Sequence, residues 1–308
     1  MQGEVALARR AESIGDRVKQ RIKRLLGEER LTLLRLAPLH RAIGNHGWRV
    51  DDLRMTDRQA AEHYANEREL DVVFRTIVRF FREYKLCFIR ETLGDEYIRR
   101  SRFLEVGDSD GLVLQALGKG ELSINNDPRC VELIRRNGVQ AHLGLGERLE
   151  VPDKSYDVVM AFETLEHSLN PVAFLEEMIR VAREKVIVSI PGVTRTIIHP
   201  RVRGERIGEE HVFEFHSADL LRLTTHLPLQ PGAFRKMSVF APSHRPLAWL
   251  FYRVSTSLNG ELFGGSHRWF DFYVFDVVGG DQGVSARQSA ALYARPWTSW
   301  LRIGRGSR

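Results

Sequence analysis

Apolar and polar positions between residues 103 and 190 follow a pattern that predicts alternating strands and helices. The run Tyr156–Phe162 is largely apolar, which is typical of a strand buried on both faces. Asp127-Pro128 and Asn170-Pro171 each pair an N-cap residue with a proline suited to begin a helix. Such βα units predict an α/β protein whose ligand lies beyond the carboxyl ends of parallel strands. The predicted strands are Phe103–Val106, Glu121–Asn125, Val139–Leu143, Tyr156–Phe162 and Lys185–Ile190.

The first predicted strand leads into a glycine turn, Gly107-Asp108-Ser109-Asp110-Gly111, with Glu105 just before it. Glycine lets a backbone turn sharply and approach a ligand, and the predicted helix that follows offers free N–H groups. Such a turn is common in α/β proteins and is a weak signal alone. Ser109 stands where a G-x-G-x-x-G motif needs its second glycine, so an NAD dehydrogenase is disfavoured.

Several segments together resemble the class I S-adenosylmethionine (SAM) dependent methyltransferases, in particular the type 11 and 12 domains. The resemblance extends over roughly residues 103–278. It implies an α/β, Rossmann-like fold with a seven-stranded, mostly parallel sheet, and SAM as the cofactor. The matching segments are Glu105–Gly111, Val151–Val159, Glu163–His167, Ser189–Pro191 and Glu210–Phe215.

The resemblance also implies which residues hold the cofactor. Two positions depart from the family pattern: Asn125 replaces the acid that usually binds the ribose, and Leu145 replaces the acid near the adenine. Asp127 and Glu147 lie two residues further on and are candidate substitutes. Because an amide lacks the charge that strengthens such hydrogen bonds, weaker binding is expected, and a non-catalytic scaffold is an alternative. The implied SAM-binding residues are Glu105, Gly107, Asp108, Ser109, Gly111, Asn125, Asn126, Gly146, Glu147, Phe162 and Glu163.

The turn after the fourth predicted strand reads Glu163-Thr164-Leu165-Glu166-His167. On a helix, positions i, i+3 and i+4 share one side, so Glu163, Glu166 and His167 are candidate ligands for Mg²⁺ or another divalent ion. His211 is a candidate fourth ligand. The set resembles two metal-assisted branches of the family, the quinone-pathway catechol O-methyltransferases and the small-RNA 2′-O-methyltransferases.

Metal-free methyltransferases also carry Glu-His at this turn, and carboxylates near a helix N-terminus are favoured in any case. Without a metal, His167 or His211 is the candidate catalytic base, since histidine exchanges protons near neutral pH. The loop 191–206 contains four arginines and is a candidate lid over the acceptor, or a solvated charged loop.

Outside this unit the chain divides into flanking regions. Residues 1–98 predict a helical region, in which Val73, Ile77, Phe80, Tyr84 and Phe88 form an apolar stripe suited to packing. Residues 99–280 predict the methyltransferase domain, with an insert at about 242–268. Phe234–Phe240 and Asp271–Val277 predict its final antiparallel strands. Residues 281–308 predict a basic, mobile tail.

Composition limits the choice of partners and location. At 308 residues and 43% hydrophobic content, one catalytic domain with an accessory region is expected. A net charge of +6 admits anionic partners such as RNA, although the charge is spread along the chain. Cys87 and Cys130 predict reduced thiols rather than a disulfide framework. No segment reaches the about 18 apolar residues of a membrane span, so a cytoplasmic enzyme is expected.

The sequence therefore predicts a SAM-dependent methyltransferase that acts on oxygen of a small or lipid-like metabolite. An RNA 2′-O-methyltransferase that uses a divalent metal is one alternative, and a scaffold with a decayed SAM site is another. The insert contains the aromatic segment Pro246–Val254, for which peripheral membrane contact and lining of an apolar acceptor pocket are both open.

Overall fold

The computed structural model describes residues 47–62, 72–191, 217–237 and 270–278, together with residues 212, 213 and 215 and scattered positions from 27 to 44. The chain divides into two compact units. Of the described residues, one unit holds those up to Phe81 and the other holds those from Arg82 onward. The predicted insert at 242–268, the tail at 281–308 and most of the loop 191–206 lie outside the described residues.

The first unit is helical in its described part. Helix α1 (Asp57–Glu62) begins after Thr56, whose backbone N–H donates to the Gln59 side chain at 2.9 Å. The Gln59 N–H donates in return to the Thr56 hydroxyl at 3.1 Å, which satisfies two end groups of the helix. Arg79 donates to the carbonyl of Met55 at 2.7 Å and so fixes the chain before α1.

Helix α2 (Val72–Leu93) carries the predicted apolar stripe, and α3 (Asp95–Arg100) follows it. Four of the five stripe residues are buried and Ile77 is half-buried, so the prediction that the stripe packs is confirmed. The division between the two units falls inside α2, between Phe81 and Arg82. The buried stripe residues are Val73, Phe80, Tyr84 and Phe88.

The second unit is built on a seven-stranded sheet in the order β3-β2-β1-β4-β5-β7-β6. Strands β1 to β5 run parallel, and β7 is antiparallel to both β5 and β6. This confirms the predicted α/β fold class with a mostly parallel sheet. The strands are β1 (Phe103–Val106), β2 (Leu122–Asn125), β3 (Ala141–Leu143), β4 (Tyr156–Phe162), β5 (Ala182–Pro191), β6 (Leu229–Met237) and β7 (Phe270–Val277).

Helices connect the parallel strands at the predicted places. The side chain of Asp127 accepts from the N–H of Arg129 at 2.8 Å, and that of Asn170 accepts from the N–H of Ala173 at 3.1 Å. Both predicted helix starts are therefore confirmed as side-chain caps. The helices are α4 (Leu112–Ala116), α5 (Pro128–Arg136), α6 (Pro171–Val181) and α7 (Ser217–Thr224).

The core of this unit lies between the sheet and its helices. Strand β4 contributes Val159 and Ala161, while α6 contributes Leu175 and Met178, and none of these side chains is more than 1% exposed. Burying four side chains of this kind removes apolar surface that stabilises the fold by about 25 cal/mol per Å². The carboxyl ends of β1 and β4 are thereby held on a rigid scaffold.

The final strand pair differs from its prediction. The sequence placed the first strand at Phe234–Phe240, whereas β6 spans Leu229–Met237 and contains Pro231 and Gly232. Proline and glycine are unfavourable inside strands, but β6 is the edge of the sheet, and its register shifts between Pro231 and Ala233. An edge strand with a bulge tolerates both residues.

Two predictions about cysteine and membranes are also answered for the described part. Cys87 and Cys130 are free thiols, each half-buried and each on a helix, as predicted. Across the described ranges, no helix combines the length and the apolar character that a membrane crossing needs.

Candidate functional site

The candidate site lies where the strand order changes direction. From β1 the chain proceeds outward through β2 and β3, and it then returns to place β4 on the other side of β1. Strands β1 and β4 pair in parallel, with Glu105 opposite Met160. In α/β sheets the crevice outside the carboxyl ends at such a switch point is the usual ligand position.

The glycine turn after β1 requires glycine at two positions. Gly107 has a φ of 81° and Gly111 a φ of 72°, both in the left-handed region that side chains disfavour. A Cβ atom at Gly107 would lie 2.1 Å from Cγ2 of Thr164, which comes from the turn after β4. The two strand-end turns are therefore packed directly against each other.

Two carboxylates stabilise the turn from within. Asp108 accepts from the N–H of Gly111 at 2.6 Å, and Asp110 accepts from the N–H of Leu112 at 2.9 Å at the start of α4. Arg82 on α2 donates to Asp110 at 2.5 Å and lies 3.7 Å from Asp108. These three side chains are 6%, 1% and 2% exposed, in that order, so the cluster is a buried ion network.

The charge of Arg82 is secured by this network. Burial disfavours a charged guanidinium, but the carboxylates of Asp110 and Asp108 outweigh that effect and raise the pKa of Arg82. Ser109, which the sequence predicts to contact SAM, is half-buried within the same turn. The glycine turn is thus fixed by protein contacts before any ligand binds.

The turn after β4 contains a residue in an unusual backbone conformation. Glu163 has a φ of 46°, a region that non-glycine residues rarely adopt. Its carboxylate pairs with Lys85 of α2 and accepts from the hydroxyl of Ser189 of β5. The Lys85 ammonium also lies 5.0 Å from the centroid of the Phe162 ring. Three elements therefore hold Glu163 in position.

Two further carboxyl groups are buried near these turns. Glu105 and Glu166 are each 1% exposed, and among the described residues Oε2 of Glu105 and both oxygens of Glu166 have no hydrogen-bond partner. Burial, together with the charge of Asp108, raises the pKa of Glu105 well above its ordinary range. Burial raises the pKa of Glu166 to about 8. Unpartnered buried carboxyls of this kind are typical of ligand sites.

The described residues do not form the expected metal site. Only Leu165–His167 is helical, as a short 3-10 turn, and Glu163 precedes it in the left-handed conformation. Glu166 consequently points into the protein interior while His167 is exposed, so the predicted i, i+3, i+4 convergence is wrong. Within the described ranges no group of three acidic, histidine or cysteine side chains is placed to hold a metal. His211 lies outside the described residues.

The end of β2, where the ribose is expected, is occupied by internal hydrogen bonds. The Asn125 amide donates to the carbonyl of Asp108 at 2.6 Å and accepts from the N–H of Asp127 at 2.7 Å. Asp127 itself caps α5 and pairs with the Arg129 guanidinium at 2.6 Å. Neither side chain is therefore available in this arrangement, and Asn126 is the exposed polar residue beside them.

The loop after β3, where the adenine is expected, is similarly engaged. Glu147 accepts from the Ser168 hydroxyl at 2.6 Å and from the Leu169 N–H at 3.2 Å. Burial opposes its ionisation, but these hydrogen bonds prevail and lower the pKa of Glu147. A Cβ atom at Gly146 would lie 2.0 Å from the Phe174 ring, so the loop backbone packs closely there. Leu145 is 57% exposed and offers an apolar surface.

The segment near residue 212 contacts the turn after β4. The N–H groups of Val212 and Phe213 donate to the backbone carbonyl of Glu166 at 2.9 and 3.0 Å. The Phe213 ring stacks on that of Phe215 with centroids 6.0 Å apart. Val212 and Phe213 are 48% and 38% exposed, so apolar surface borders the turn that carries His167.

Sequence reasoning missed three charged residues of the site: Arg82, Lys85 and Asp110. Arg82 and Lys85 lie three positions apart on α2, within the helix that carries the apolar stripe, and both are buried. Arginine and lysine are rarely buried without a partner, so cations inside an apolar helix face were the available signal. The partners themselves follow only from the fold.

The charged end of a SAM molecule fits this site better than its ribose does. Carboxyl groups line the crevice over β1 and β4, and Glu105 retains a buried oxygen without a hydrogen-bond partner among the described residues. At the ribose end the amide of Asn125 is already used at both atoms. The structure therefore supports a methionine subsite directly, while a ribose contact requires Asn126 or a change at Asn125.

Comparison with known proteins agrees with this placement. Residues 104–190 match the model of a family described as a methyltransferase domain. No curated protein matches the chain. This match begins in β1 and ends in β5, so it contains both strand-end turns of the site.

Solved structures resemble the chain at low sequence identity. A SAM-dependent methyltransferase of Methanosarcina mazei is 14% identical, with 62% of this chain and 97% of that one covered and a TM-score of 0.43. A SAM-dependent methyltransferase of Thermotoga maritima is 18% identical over 65% and 97% of the two chains, with a TM-score of 0.42. The [4+2]-cyclase SpnF is 14% identical over 64% and 82%, with a TM-score of 0.48. From the family match and the sheet order, the chain carries a methyltransferase domain of the class I SAM-dependent family.

Proposed function

We propose that the chain transfers a methyl group from SAM to an acceptor that lies over the carboxyl end of β4. The observation that carries this proposal is the turn at Glu163, with its φ of 46° and its contacts to Lys85 and Ser189. Strained non-glycine backbone persists only where the surroundings enforce it, and it is concentrated at ligand sites. This turn borders both the glycine turn and the exposed His167.

Bound SAM supplies an activated methyl group on a sulfonium sulfur, so the protein has mainly to position the reactants and handle a proton. In this proposal the glycine turn and Glu163 hold the charged end of the cofactor. His167, exposed on the turn directly after β4, accepts the proton that the acceptor hydroxyl loses.

The proposed acceptor is an oxygen of a small or lipid-like metabolite. The support is the apolar surface of Val212 and Phe213, which is anchored by backbone hydrogen bonds to Glu166 next to His167. Apolar walls with a few polar groups are typical of small-molecule sites. An RNA end, the alternative acceptor, would instead favour cationic side chains that pair with phosphates.

A divalent ion could join this reaction only if the turn rearranged. Glu163 would have to leave Lys85 and Ser189, and the buried carboxyl of Glu166 would have to reach the same point. Methyl transfer measured with added Mg²⁺ and after chelation tests this directly. Equal rates under both conditions would exclude the metal-assisted form.

The test of the proposed function is transfer of radioactive methyl from labelled SAM to a panel of phenols, catechols, hydroxylated lipids and RNA oligonucleotides. Glu163→Gln should abolish transfer at least 10-fold more strongly than Glu184→Gln, whose carboxylate accepts from the Tyr97 hydroxyl instead. His167→Asn should lower the rate without lowering SAM affinity. Labelling of RNA alone would overturn the small-molecule acceptor.

A second candidate function is a non-catalytic scaffold, and Asn125 is the observation that favours it. Both ends of its amide bind the protein, so the ribose position lacks its usual acid. Calorimetric titration with SAM separates the two candidates. Heat of binding at micromolar cofactor supports the enzyme, and absence of binding supports the scaffold.

We also propose the domain limits 1–98, 99–280 and 281–308, with the insert at about 242–268. The described part of residues 47–100 is helical apart from its turns, and the sheet begins at Phe103. Limited proteolysis with mass spectrometry tests these limits. Resistance of the insert and the tail to cleavage would contradict them. The cytoplasmic location remains a prediction.

A further inference from the structure

Negative side chains are concentrated over one half of the crevice. Above β1 and β4 the contacts join two cations to three carboxylates: Arg82 to Asp110 and Asp108, and Lys85 to Glu163. The same region holds Glu105 and Glu166, each 1% exposed and each with a carboxyl oxygen that lacks a hydrogen-bond partner among the described residues. Five acids thus share two bases.

The other half of the crevice is uncharged toward the ligand. Over β2 and β3 the acids are already engaged, since Asp127 pairs with Arg129 and Glu147 accepts from Ser168. Leu143 and Leu145 are 61% and 57% exposed there. A ligand across this crevice therefore meets an apolar, uncharged surface at one end and an excess of carboxylates at the other.

SAM and its demethylated product, S-adenosylhomocysteine, differ at the end that faces the carboxylates. SAM carries a positive sulfonium, whereas the product is a neutral thioether of nearly the same shape. Their adenosine and amino-acid groups are identical, so only an interaction with the sulfonium charge or its methyl group can distinguish them. An excess of buried carboxylates is a source of such an interaction, because water does not screen it fully.

We propose that the carboxylates over β1 and β4 select the cofactor by its positive charge, so that the chain binds SAM in preference to S-adenosylhomocysteine. This inference rests on the proposed function. Glu105 is the residue chosen to test it, because its Oε2 is buried at the end of β1 and no described residue donates to it. A cation that binds nearby supplies the missing partner and favours the ionised carboxyl.

Such selectivity has a consequence for turnover. Loss of the methyl group removes the charge that the carboxylates attract, so product affinity falls as soon as transfer has occurred. The product then dissociates readily and inhibits the enzyme weakly. The interaction is spent on the cofactor that still carries its methyl group.

Calorimetric titration of the full chain with SAM, S-adenosylhomocysteine and sinefungin tests this inference. Sinefungin carries a protonated amine in place of the sulfonium methyl group. We expect SAM and sinefungin to bind at least about 10-fold more tightly than S-adenosylhomocysteine, which corresponds to ~1.4 kcal/mol. Equal affinities for all three would overturn the charge selection while leaving SAM binding intact. Failure of all three to bind would refute the proposed function together with this inference.

Variants locate the effect. Glu105→Gln keeps the shape and removes the charge, so it should weaken SAM binding and leave S-adenosylhomocysteine binding unchanged. Glu121→Gln is the matched control, because Glu121 also has a buried oxygen without a partner among the described residues and a raised pKa caused mainly by burial. It precedes β2, at the opposite end of the sheet. An unchanged ratio in Glu105→Gln would contradict the role of this carboxyl, and the three-ligand comparison on the native chain stands even if that variant does not fold.

Discussion

Replacing Arg82 by methionine removes the cation from the most deeply buried ion network of the site. Methionine preserves the length and the apolar stem of the side chain, so the perturbation is chiefly electrostatic. Arg82 donates to Asp110 at 2.5 Å and lies 3.7 Å from Asp108, and none of the three side chains is more than 6% exposed. The variant therefore leaves two buried carboxylates without their counter-charge.

The magnitude follows from that burial. Removing one partner of a buried ion pair costs about 3–5 kcal/mol, because the remaining charge keeps its desolvation penalty. A folded domain is stable by only about 5–15 kcal/mol, so Arg82→Met should remove a large share of the free energy of unfolding. Adding Asp110→Asn removes one of the stranded charges, so the double variant should lose less than the sum of the single ones.

Urea unfolding followed by far-ultraviolet circular dichroism at pH 7 measures this loss. Arg129→Met is the control, because Arg129 also pairs with an aspartate, Asp127, but the two side chains are 65% and 29% exposed. A surface pair of this kind contributes only about 0–1 kcal/mol. If Arg82→Met proved no more destabilising than Arg129→Met, the account of a buried, mutually dependent network would be refuted.

Three further predictions concern stability and reactivity. Gly107→Ala should cost roughly 2–5 kcal/mol in urea unfolding, since it combines left-handed backbone with a clash against Thr164; Thr164→Ala should relieve only the clash, and full rescue would show that the backbone is not strained. Because the folded pKa of Glu166 is about 8, above its ordinary value, rising pH from about 4.5 to 8 destabilises the native chain. Glu166→Gln should therefore raise the melting temperature more at pH 8.5 than at pH 5, and equal shifts would contradict this. Burial raises the pKa of Cys87 to about 12 and that of Cys130 to about 11, so both should react slowly with iodoacetamide at pH 8 until urea unfolds the chain; fast labelling of the folded protein would contradict the burial.

Much of the fold was predictable because its signals are local. The apolar run of β4 and the caps at Asp127 and Asn170 each depend on a few adjacent residues, and all three were found where the sequence placed them. β6 was the exception. Its Pro231 and Gly232 oppose strand formation locally, and only the edge position in the sheet makes them tolerable.

The site was less predictable than the fold. The positions of the glycine turn and of Glu163 at the strand ends followed from the pattern, but the side-chain partners did not. A helical spacing rule grouped Glu163, Glu166 and His167, whereas the left-handed backbone at Glu163 sends their side chains to different surroundings. The substitutes expected for the missing acids, Asp127 and Glu147, are occupied by local hydrogen bonds.

The sequence alone determined the order of strands and helices, the parallel sheet and the edge at which the site lies, because periodicity and capping act within a few residues. The tertiary structure decided how the charges at that edge are arranged. Arg82 and Asp110 are 28 positions apart, and no local pattern joins them. Only packing buries α2 against the strand ends, and in that low-dielectric setting each carboxyl must find a partner, hold a proton or await a ligand.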